Sequence, residues 1–367
     1  MDEGLRAIPG AVVDDAGLRH AGSPLAEQRA LAEGRALAVR DDRAVLAVSG
    51  PDRLSWLDSV TSQALARLVP GESTELLVLD PQGRVEHAAA VLDDGVTTWL
   101  IVDRARAADL LAWLKRMRFR LRVDPRDADE DYAVIAGAPG AFGGVAVEAP
   151  AGTPLLWRDP WPEVGPGGAG YALEEPHPGY DRPWAEAIVS RAERGRLVAA
   201  AAAGERALAG SVAVDALRVA AWRPSVADVD ERTIPHELDW LRTAVHLDKG
   251  CYRGQETVAK VHNLGHPPRR LVALHLDGSD SVLPVPGAEV RAGGDVVGTV
   301  TAVALHYEEG PIALAVVRRQ APDDAELVVE TEDGPVAAAV RVVVPREAGA
   351  TASVPRLPRL NRRAPAS

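Results

Sequence analysis

The order of strand and helix patterns in the first third of the chain limits the possible folds most strongly. A buried strand at 44–48 leads into a helix whose apolar residues recur at helical spacing as far as Leu68. Three strands, a helix and a last strand follow, at 74–79, 84–92, 96–102, 104–117 and 119–123. The order β-α-β-β-β-α-β is that of a split β-α-β, ferredoxin-like unit with one extra strand. With an N-terminal extension, this unit is expected over residues 1–130.

The middle of the chain predicts a second, less regular α+β unit over residues 131–268. Its patterns are two short strands, a Pro/Gly/Trp-rich loop and two helices, at 132–136, 144–148, 157–173, roughly 183–202 and 206–221. This unit ends in the segment that holds the only cysteine of the chain.

From residue 269 the pattern changes to short β segments separated by turn residues. Such a run indicates a small closed β-barrel, expected over 269–345. Residues 346–367 are rich in Pro, Arg and Ala and are expected to be disordered. The expected fold class is therefore α+β, with two ferredoxin-like α+β units followed by a small C-terminal β-barrel.

Charge and cysteine content exclude several functions. The 367 residues carry a formal net charge of −12, which argues against non-specific binding to nucleic acid or to an anionic membrane. A single cysteine excludes an intrachain disulfide and a self-contained four-cysteine iron–sulfur or zinc site. The acidic N-terminus has no hydrophobic signal core, and no apolar run approaches the ~20 residues that span a bilayer. We therefore expect a reducing, cytoplasmic setting without membrane contact.

The cysteine lies in KGCYRGQETVAKV (249–261), a pattern typical of a loop that enters a helix. Gly250 and Gly254 allow backbone angles and close approaches that other residues resist. Cys251 would then precede the positive end of the helix, with Lys249 two residues away, and both features lower the pKa of a thiol. Two interpretations remain: an exposed, partly ionised thiol, or a small buried apolar side chain.

The eight residues KGCYRGQE resemble the K-G-C-Y-x-G-Q-E signature of the YgfZ-type folate-binding proteins, which support iron–sulfur enzymes and are relatives of the glycine-cleavage aminomethyltransferase. Residues 56–85, 215–240 and 293–304 are similar to further segments of that family. The resemblance implies that the two α+β units and the barrel surround a central folate-binding hole. It also implies tetrahydrofolate, or another reduced folate, as the cofactor.

The resemblance suggests which residues form the site. Cys251 would be the working thiol, while Lys249, Tyr252, Gln255 and Glu256 of the signature would help to bind the folate. Arg218 and Arg158 could pair with a folate glutamate tail, because a guanidinium fits a carboxylate in a two-point contact. Trp222, Trp157 and Trp161 could stack on the pterin. Each arginine could equally form an internal ion pair, and each tryptophan could equally belong to the core.

One departure from the relatives bears on chemistry. The aminomethyltransferases carry an acidic pair after a glycine turn and use a carboxylate there. In this chain His87 and Ala88 occupy the matching positions, while Asp80 and Glu86 have the wrong offsets. The general acid–base role then has no evident bearer, so the expectation is a retained folate pocket without aminomethyl transfer.

Two other constellations around the cysteine are weaker. His246, His262 and His266 could form a metal cluster with Cys251, but only one thiolate is present. A Cys–His hydrolase would need an orienting residue and an oxyanion hole, and neither is recognisable. No metal site is predicted.

The leading hypothesis is a tetrahydrofolate-binding protein that assists assembly or repair of iron–sulfur clusters in client enzymes. Its partners would be a reduced folate and iron–sulfur client or carrier proteins, and it would not be a conventional enzyme. The alternatives are a folate-dependent one-carbon transferase and a non-enzymatic interaction scaffold. Absent acids at 87 and 88 argue against the first, and the preserved signature argues against the second.

Overall fold

The computed structural model describes residues 3–279, 282–323 and 326–352. Within these ranges no helix combines the length and apolar character that crossing a membrane requires. The greater part of the tail predicted at 346–367 lies outside the described residues.

Strands and helices alternate through the first two thirds of the chain, and strands dominate the last. The strands as far as the middle of the chain are β1 (Ala11–Asp14), β2 (Gly17–Ala21), β3 (Ala36–Val39), β4 (Arg43–Ser49), β5 (Ser73–Leu79), β6 (Val85–Asp93), β7 (Thr97–Asp103), β8 (Asp124–Asp127) and β9 (Tyr132–Gly137). The later strands are β10 (Leu156–Arg158), β11 (Ala185–Ser190), β12 (Ala207–Ala209), β13 (Arg269–Leu276), β14 (Glu289–Ala292), β15 (Asp295–His306), β16 (Gly310–Arg318), β17 (Leu327–Val329) and β18 (Val336–Val342). The helices are α1 (Glu3–Arg6), α2 (Pro24–Ala32), α3 (Arg53–Val60), α4 (Arg104–Met117), α5 (Arg191–Ala202), α6 (Ser211–Ala220), α7 (Leu241–Ala244) and α8 (Gln255–Leu264).

The first sheet has the strand order β5-β6-β7-β4-β8, and every neighbouring pair is antiparallel. It follows that β7 and β8 are parallel with β4 between them, which is the split β-α-β arrangement around α4. Asp103 caps α4 by accepting a hydrogen bond from the Ala105 amide. The predicted α+β unit is confirmed, with its extra strand.

The second sheet has the order β10-β11-β9-β3-β12. Its strand β3 comes from residues assigned from the sequence to the first unit, and it pairs with β9 and in parallel with β12. The boundary at residue 130 therefore does not separate the two sheets. The sequence of a short buried strand does not show which strand it pairs with. The placement of β3 in the second sheet therefore could not be predicted from the sequence.

The two sheets pack face to face. One shared core contains residues from β4, β6 and β7 of the first sheet and from β3, β9 and β11 of the second, together with α2 and α6. The outer face of the first sheet is covered by α3 and α4, and that of the second by α1, α5 and the β1–β2 hairpin. The result is four layers, with helices outside and sheets inside.

The C-terminal strands form the predicted barrel, closed in the order β13-β16-β15-β14-β17-β18. Apolar residues of β13, β15 and β16 share a core with Trp222, Trp240, Tyr252 and Val258. The barrel is thus packed directly against the segment that carries the cysteine.

Several predicted boundaries in the first unit are wrong. The first helix ends at Val60 rather than near Leu68, because Thr61 turns extended and its hydroxyl donates to the Leu57 carbonyl. No strand forms at 119–123, since Phe119 adopts a positive φ of 45°. The last strand is instead β8, at Asp124–Asp127.

The second unit also contains more strand than the sequence indicated. The predicted helix at 183–202 begins only at Arg191, after β11, where Ser190 caps it by accepting from the Glu193 amide. The helix expected at 206–221 is preceded by β12. The strand expected at 144–148 is reduced to a single bridge between Val147 and Val189. Buried strands and buried helices look alike in short apolar runs, and burial in the second sheet favoured the strands.

Ser62, just after α3, is hydrogen-bonded to β5 and to α7, and its replacement tests the fold. Its side chain is fully buried, accepts from the Leu77 amide at 2.9 Å and donates to the Ala244 carbonyl at 2.5 Å. Ser62→Ala should lower the free energy of unfolding by about 1–3 kcal/mol, because buried backbone groups lose their partner. Ser59→Ala is the control, since Ser59 is exposed and should change stability by less than about 0.5 kcal/mol. Equal urea midpoints for the two variants would contradict this role.

Candidate functional site

Residues 249–254, which we call the cysteine loop, pack against the turn between β5 and β6. Gly254 starts α8 with a φ of +83°, and a Cβ there would lie 2.6 Å from the Asp80 carbonyl oxygen and 2.9 Å from the Gly83 Cα. Glycine is therefore required at 254 by close approach as well as by conformation. At Gly250 neither constraint is present, since a Cβ would meet nothing within 4 Å.

The Cys251 side chain is exposed at the surface of this loop. The interpretation of Cys251 as a buried apolar residue is therefore wrong. Its position just before the N-terminus of α8 agrees with the sequence, and an accessible thiol at such a place can react or ligate.

Lys249 is placed differently from the expectation. Its side chain is only 3% exposed, and its ammonium donates to the carbonyls of Asp58, Thr61 (2.9 Å) and Gln63 (2.7 Å) at the end of α3. Burial lowers the pKa of Lys249 to about 8, although Asp58 raises it. A cation on these free carbonyls is a helix C-cap, so Lys249 orders the loop and is not available to a folate.

The remaining predicted binding residues of the signature, Tyr252, Gln255 and Glu256, have different surroundings. Gln255 donates to the Lys249 carbonyl at 3.2 Å, and Glu256 lies exposed in the first turn of α8. Tyr252 is buried in the core against the barrel, and its hydroxyl has no hydrogen-bond partner in the part of the chain that the structure describes. None of these three lines the cavity described next.

A cavity opens where the two sheets meet α6 and the segment after it; we call it the inter-sheet cavity. Its enclosed part is small, about 90 Å³, and the space between its walls reaches about 640 Å³ only when the open solvent at its mouth is included. Alanines of β6 form an apolar wall, and the other sides carry tryptophans and charged residues. The charged and tryptophan side chains of the lining are Arg40, Arg43, Glu75, Trp157, Asp159, Arg182, Trp184, Glu186, Asp215, Arg218, Arg223 and Trp240.

The buried carboxylates of the cavity are held by arginines. Arg223 binds Glu75 at 2.7 Å and Asp159 at 3.1 Å. Arg182 also binds Asp159, at 3.0 Å. Glu186 lies 3.1 Å from Arg40 and 3.3 Å from Arg43. Because every one of these acids is already paired, none is a free general base.

Four N–H donors on the cavity wall have no partner among the described residues. They are Arg182 Nε, Trp184 Nε1, Arg223 Nη1 and Trp240 Nε1. Burial lowers the pKa of Arg182 to about 10, despite the opposing effect of Asp159. Buried donors without acceptors are costly and uncommon, so the wall is suited to a ligand that presents oxygen or nitrogen acceptors.

The positions that correspond to the missing acids lie on opposite faces of β6. Ala88 lines the inter-sheet cavity. His87 is not among the cavity-lining residues; burial lowers its pKa, and the α4 residues Arg106 and Asp109 are its charged neighbours. An acid would reach the cavity from position 88, where this chain has a methyl group.

Of the other predicted binding residues, the structure places Arg218 at the cavity and Arg158 and Trp222 outside it. Arg218 lines the cavity but donates to Asp228 at 2.8 Å and to the Arg223 carbonyl. Arg158 is exposed, and Trp222 packs against His177 and the barrel arginine Arg341; neither lines the cavity. Arg158 and Trp222 therefore do not contribute to this cavity, and a contact between them and a folate stays a prediction.

Of the three candidate stacking residues, only Trp157 reaches the cavity. It lines the wall, and its Nε1 donates to the Thr74 carbonyl across the two sheets. Trp161 is buried and donates to the Ala221 carbonyl. Sequence analysis missed Arg40, Arg182 and Trp184; charges flanking or interrupting buried strands, such as Glu186 within AEAIVS, were the available signal.

The histidines near the cysteine have other contacts. His262 pairs with the Tyr171 hydroxyl at 3.0 Å, and His266 contacts the Ala348 carbonyl at 2.9 Å. No group of three or more metal-ligating side chains is found in residues 3–279, 282–323 and 326–352.

Known proteins resemble this chain in sequence and fold. Residues 269–345 match the glycine cleavage T-protein C-terminal barrel domain. A mitochondrial iron-sulfur cluster assembly factor IBA57 homolog from Mycosarcoma maydis is 27% identical over 254 residues, which is 63% of this chain and 55% of that protein. A chloroplastic protein of Arabidopsis thaliana named "Putative transferase" is 30% identical over 129 residues, 34% of this chain and 28% of its own length. The chain thus spans about half or less of these relatives.

Among solved structures, the glycine cleavage system aminomethyltransferase T from Bartonella henselae has a TM-score of 0.68 at 20% identity, over 91% of this chain and 94% of its own. Two packed sheets, a closed barrel and the signature loop thus define a protein of the glycine-cleavage T-protein fold. The chain is thus similar to the T-protein barrel domain and to an IBA57 homolog in sequence, and to an aminomethyltransferase T in fold.

The role of Lys249 can be tested by an apolar replacement. Lys249→Met should cost about 1–3 kcal/mol of unfolding free energy, because three carbonyls at the end of α3 lose their donor. Lys260→Met, at an exposed position of α8, is the matched control and should be close to neutral. A Lys249 variant of normal stability with weakened folate binding would show instead that the ammonium serves the ligand.

Proposed function

We propose that this protein binds a reduced folate in the inter-sheet cavity and, through Cys251, assists the assembly or repair of iron–sulfur clusters in client proteins. The unpaired donors of the cavity wall carry the first part of the proposal. The exposed thiol and the similarity to an iron–sulfur cluster assembly factor support the second.

A reduced folate fits the chemistry of the wall. Its pterin carbonyl and glutamate carboxylates are acceptors, and Arg182, Trp184, Arg223 and Trp240 offer donors that lack partners. Trp157 and Trp184 add aromatic surface beside the apolar wall of β6. When bound, a tetrahydrofolate supplies a reduced pterin able to carry one-carbon groups.

The same wall disfavours one-carbon transfer as the main activity. Ala88 provides no carboxylate, and Glu75, Asp159 and Glu186 are bound to arginines. A general base must be free to accept a proton from the reacting group. The arrangement therefore supports binding of the folate more than turnover of it.

Cys251 can contribute one thiolate to a cluster and no more. A tetrahedral iron site needs several ligands, so the remaining ones must come from a client or carrier protein. Exposure of the thiol at the edge of a loop suits such shared ligation. A cytoplasmic location is proposed with this function, because a free, reactive cysteine persists in a reducing compartment.

Titration with tetrahydrofolate tests the pocket. Calorimetry should show binding, and the melting temperature should rise with ligand concentration. Trp184→Phe removes the unpaired indole N–H together with part of a buried ring, so the dissociation constant should rise about tenfold, equivalent to about 1.4 kcal/mol, and some stability should also be lost.

Trp157→Phe is the matched control for Trp184→Phe. Because Trp157 Nε1 also donates to the Thr74 carbonyl, this variant should lose more stability than Trp184→Phe. Absence of both heat and thermal stabilisation at millimolar folate would refute binding altogether.

Replacement of Cys251 tests the thiol. Cys251→Ser and Cys251→Ala should fold normally, since an exposed side chain contributes little packing. Both should fail to restore iron–sulfur enzyme activities in cells that lack the protein. Full restoration by the alanine variant would show that the thiol is dispensable and that the loop acts through its backbone.

A further inference from the structure

A basic segment lies at the end of α4 in a chain that is acidic overall. Residues 115–122, KRMRFRLR, carry five cations and no acid in a protein of net charge −12. Phe119 is 85% exposed and Leu121 is 44% exposed within the same segment. We call residues 115–122 the basic loop.

Only part of this charge is neutralised within the molecule. Arg122 makes a two-point contact with Asp52, at 2.8 and 3.1 Å, and Arg118 lies 3.7 Å from Asp124. Lys115, Arg116 and Arg120 are exposed and have no ion pair with any residue that the structure describes. The basic loop therefore already binds carboxylates of this chain, and its three other cations are free to bind carboxylates of a partner.

The backbone conformation of Phe119 is strained and brings the fold no compensating contact. It follows the end of α4 with a φ of +45°, a position that helices usually give to glycine. A bulky aromatic residue in this region is strained, and its ring gains almost no burial in return. Solvent exposure of a strained phenylalanine points to a role in contact with another molecule.

Helix α3 connects the basic loop to the cysteine loop. At its start, Asp52 binds Arg122, and Trp56 Nε1 donates to the Met117 carbonyl at 3.1 Å. At its end, the Asp58 and Thr61 carbonyls bind Lys249, two residues from Cys251. The eight residues of α3 span about 12 Å, so one protein covering about 800 Å² could contact both loops.

We propose that the basic loop is the docking surface for an acidic iron–sulfur protein, with Phe119 as its apolar anchor. The identity of the partner rests on the proposed function; the docking surface rests on charge and exposure. Arginine forks suit carboxylates, and an aromatic residue ringed by arginines is typical of interface centres. A membrane is the poorer occupant, because the rest of the chain is acidic and a single ring offers little insertion.

The test uses the full chain in cells that lack it. Arg116→Glu with Arg120→Glu should lower the restored iron–sulfur enzyme activity about tenfold at limiting expression, because charge attraction speeds encounter. Arg67→Glu with Arg318→Glu, two exposed arginines without described ion pairs, makes the same charge change elsewhere and should have no effect. Equal loss in both pairs, or no loss in either, would overturn the proposal.

Phe119→Gly separates docking from folding. Glycine relieves the positive φ, so the melting temperature should stay equal or rise, and tetrahydrofolate should bind as before. Restored activity should nevertheless fall. Unchanged activity of this variant would remove Phe119 as the anchor and overturn the proposal.

A photo-reactive phenylalanine at 119 identifies the partner. On irradiation in cells, the adducts should contain acidic iron–sulfur proteins, and the Arg116→Glu, Arg120→Glu background should abolish them. The same residue at Val96, which is 62% exposed, is the position control. Lipid adducts, or binding of the purified protein to vesicles of phosphatidylcholine and phosphatidylserine in equal parts, would overturn the proposal in favour of a membrane.

These outcomes are distinguishable from failure of the proposed function. If Cys251→Ser abolishes restoration while the loop variants do not, the function stands and the docking surface is wrong. If the loop variants fail and Cys251→Ser restores fully, a protein docks here for another purpose.

Discussion

The face-to-face packing of the two sheets determines most of this structure, including where it leaves space. Apolar residues of β4, β6 and β7 meet those of β3, β9 and β11 in one core, which fixes the separation of the sheets. Beyond that core the facing side chains are arginines and acids, which form buried ion pairs instead of packing as apolar groups do. The inter-sheet cavity is the consequence of this change from apolar to charged contact.

The charged part of the cavity is stable because its members share partners. Arg223 bridges Glu75 and Asp159, and Asp159 in turn holds Arg182. This network satisfies the carboxylates while leaving donor atoms of Arg182 and Arg223 unpaired. Buried donors without a partner are uncommon in folded proteins. The same pairing keeps Glu75, Asp159 and Glu186 bound to arginines.

The cysteine loop is ordered by two contacts that hold it to the first unit. Lys249 reaches the end of α3, and Gly254 lies against the turn between β5 and β6. Neither contact involves Cys251, so the thiol can remain exposed on a rigid support. Because α3 also meets the basic loop at its other end, one short helix relates the exposed thiol to the proposed docking surface.

The sequence alone determined the α+β class, the antiparallel strands and α4 of the first unit, the closed barrel and a cysteine just before a helix, because periodicity, turn residues and glycines act locally. Whether that cysteine is exposed or buried was decided only by the tertiary structure. The sequence could not reveal that β3 crosses into the second sheet, nor that Lys249 caps α3, since both depend on contacts between distant segments. The sequence could not reveal the cavity for the same reason. Its wall is formed by residues from separate elements, among them Arg40, Arg182, Trp184 and Arg223. Only the packing of the two sheets brings these side chains together.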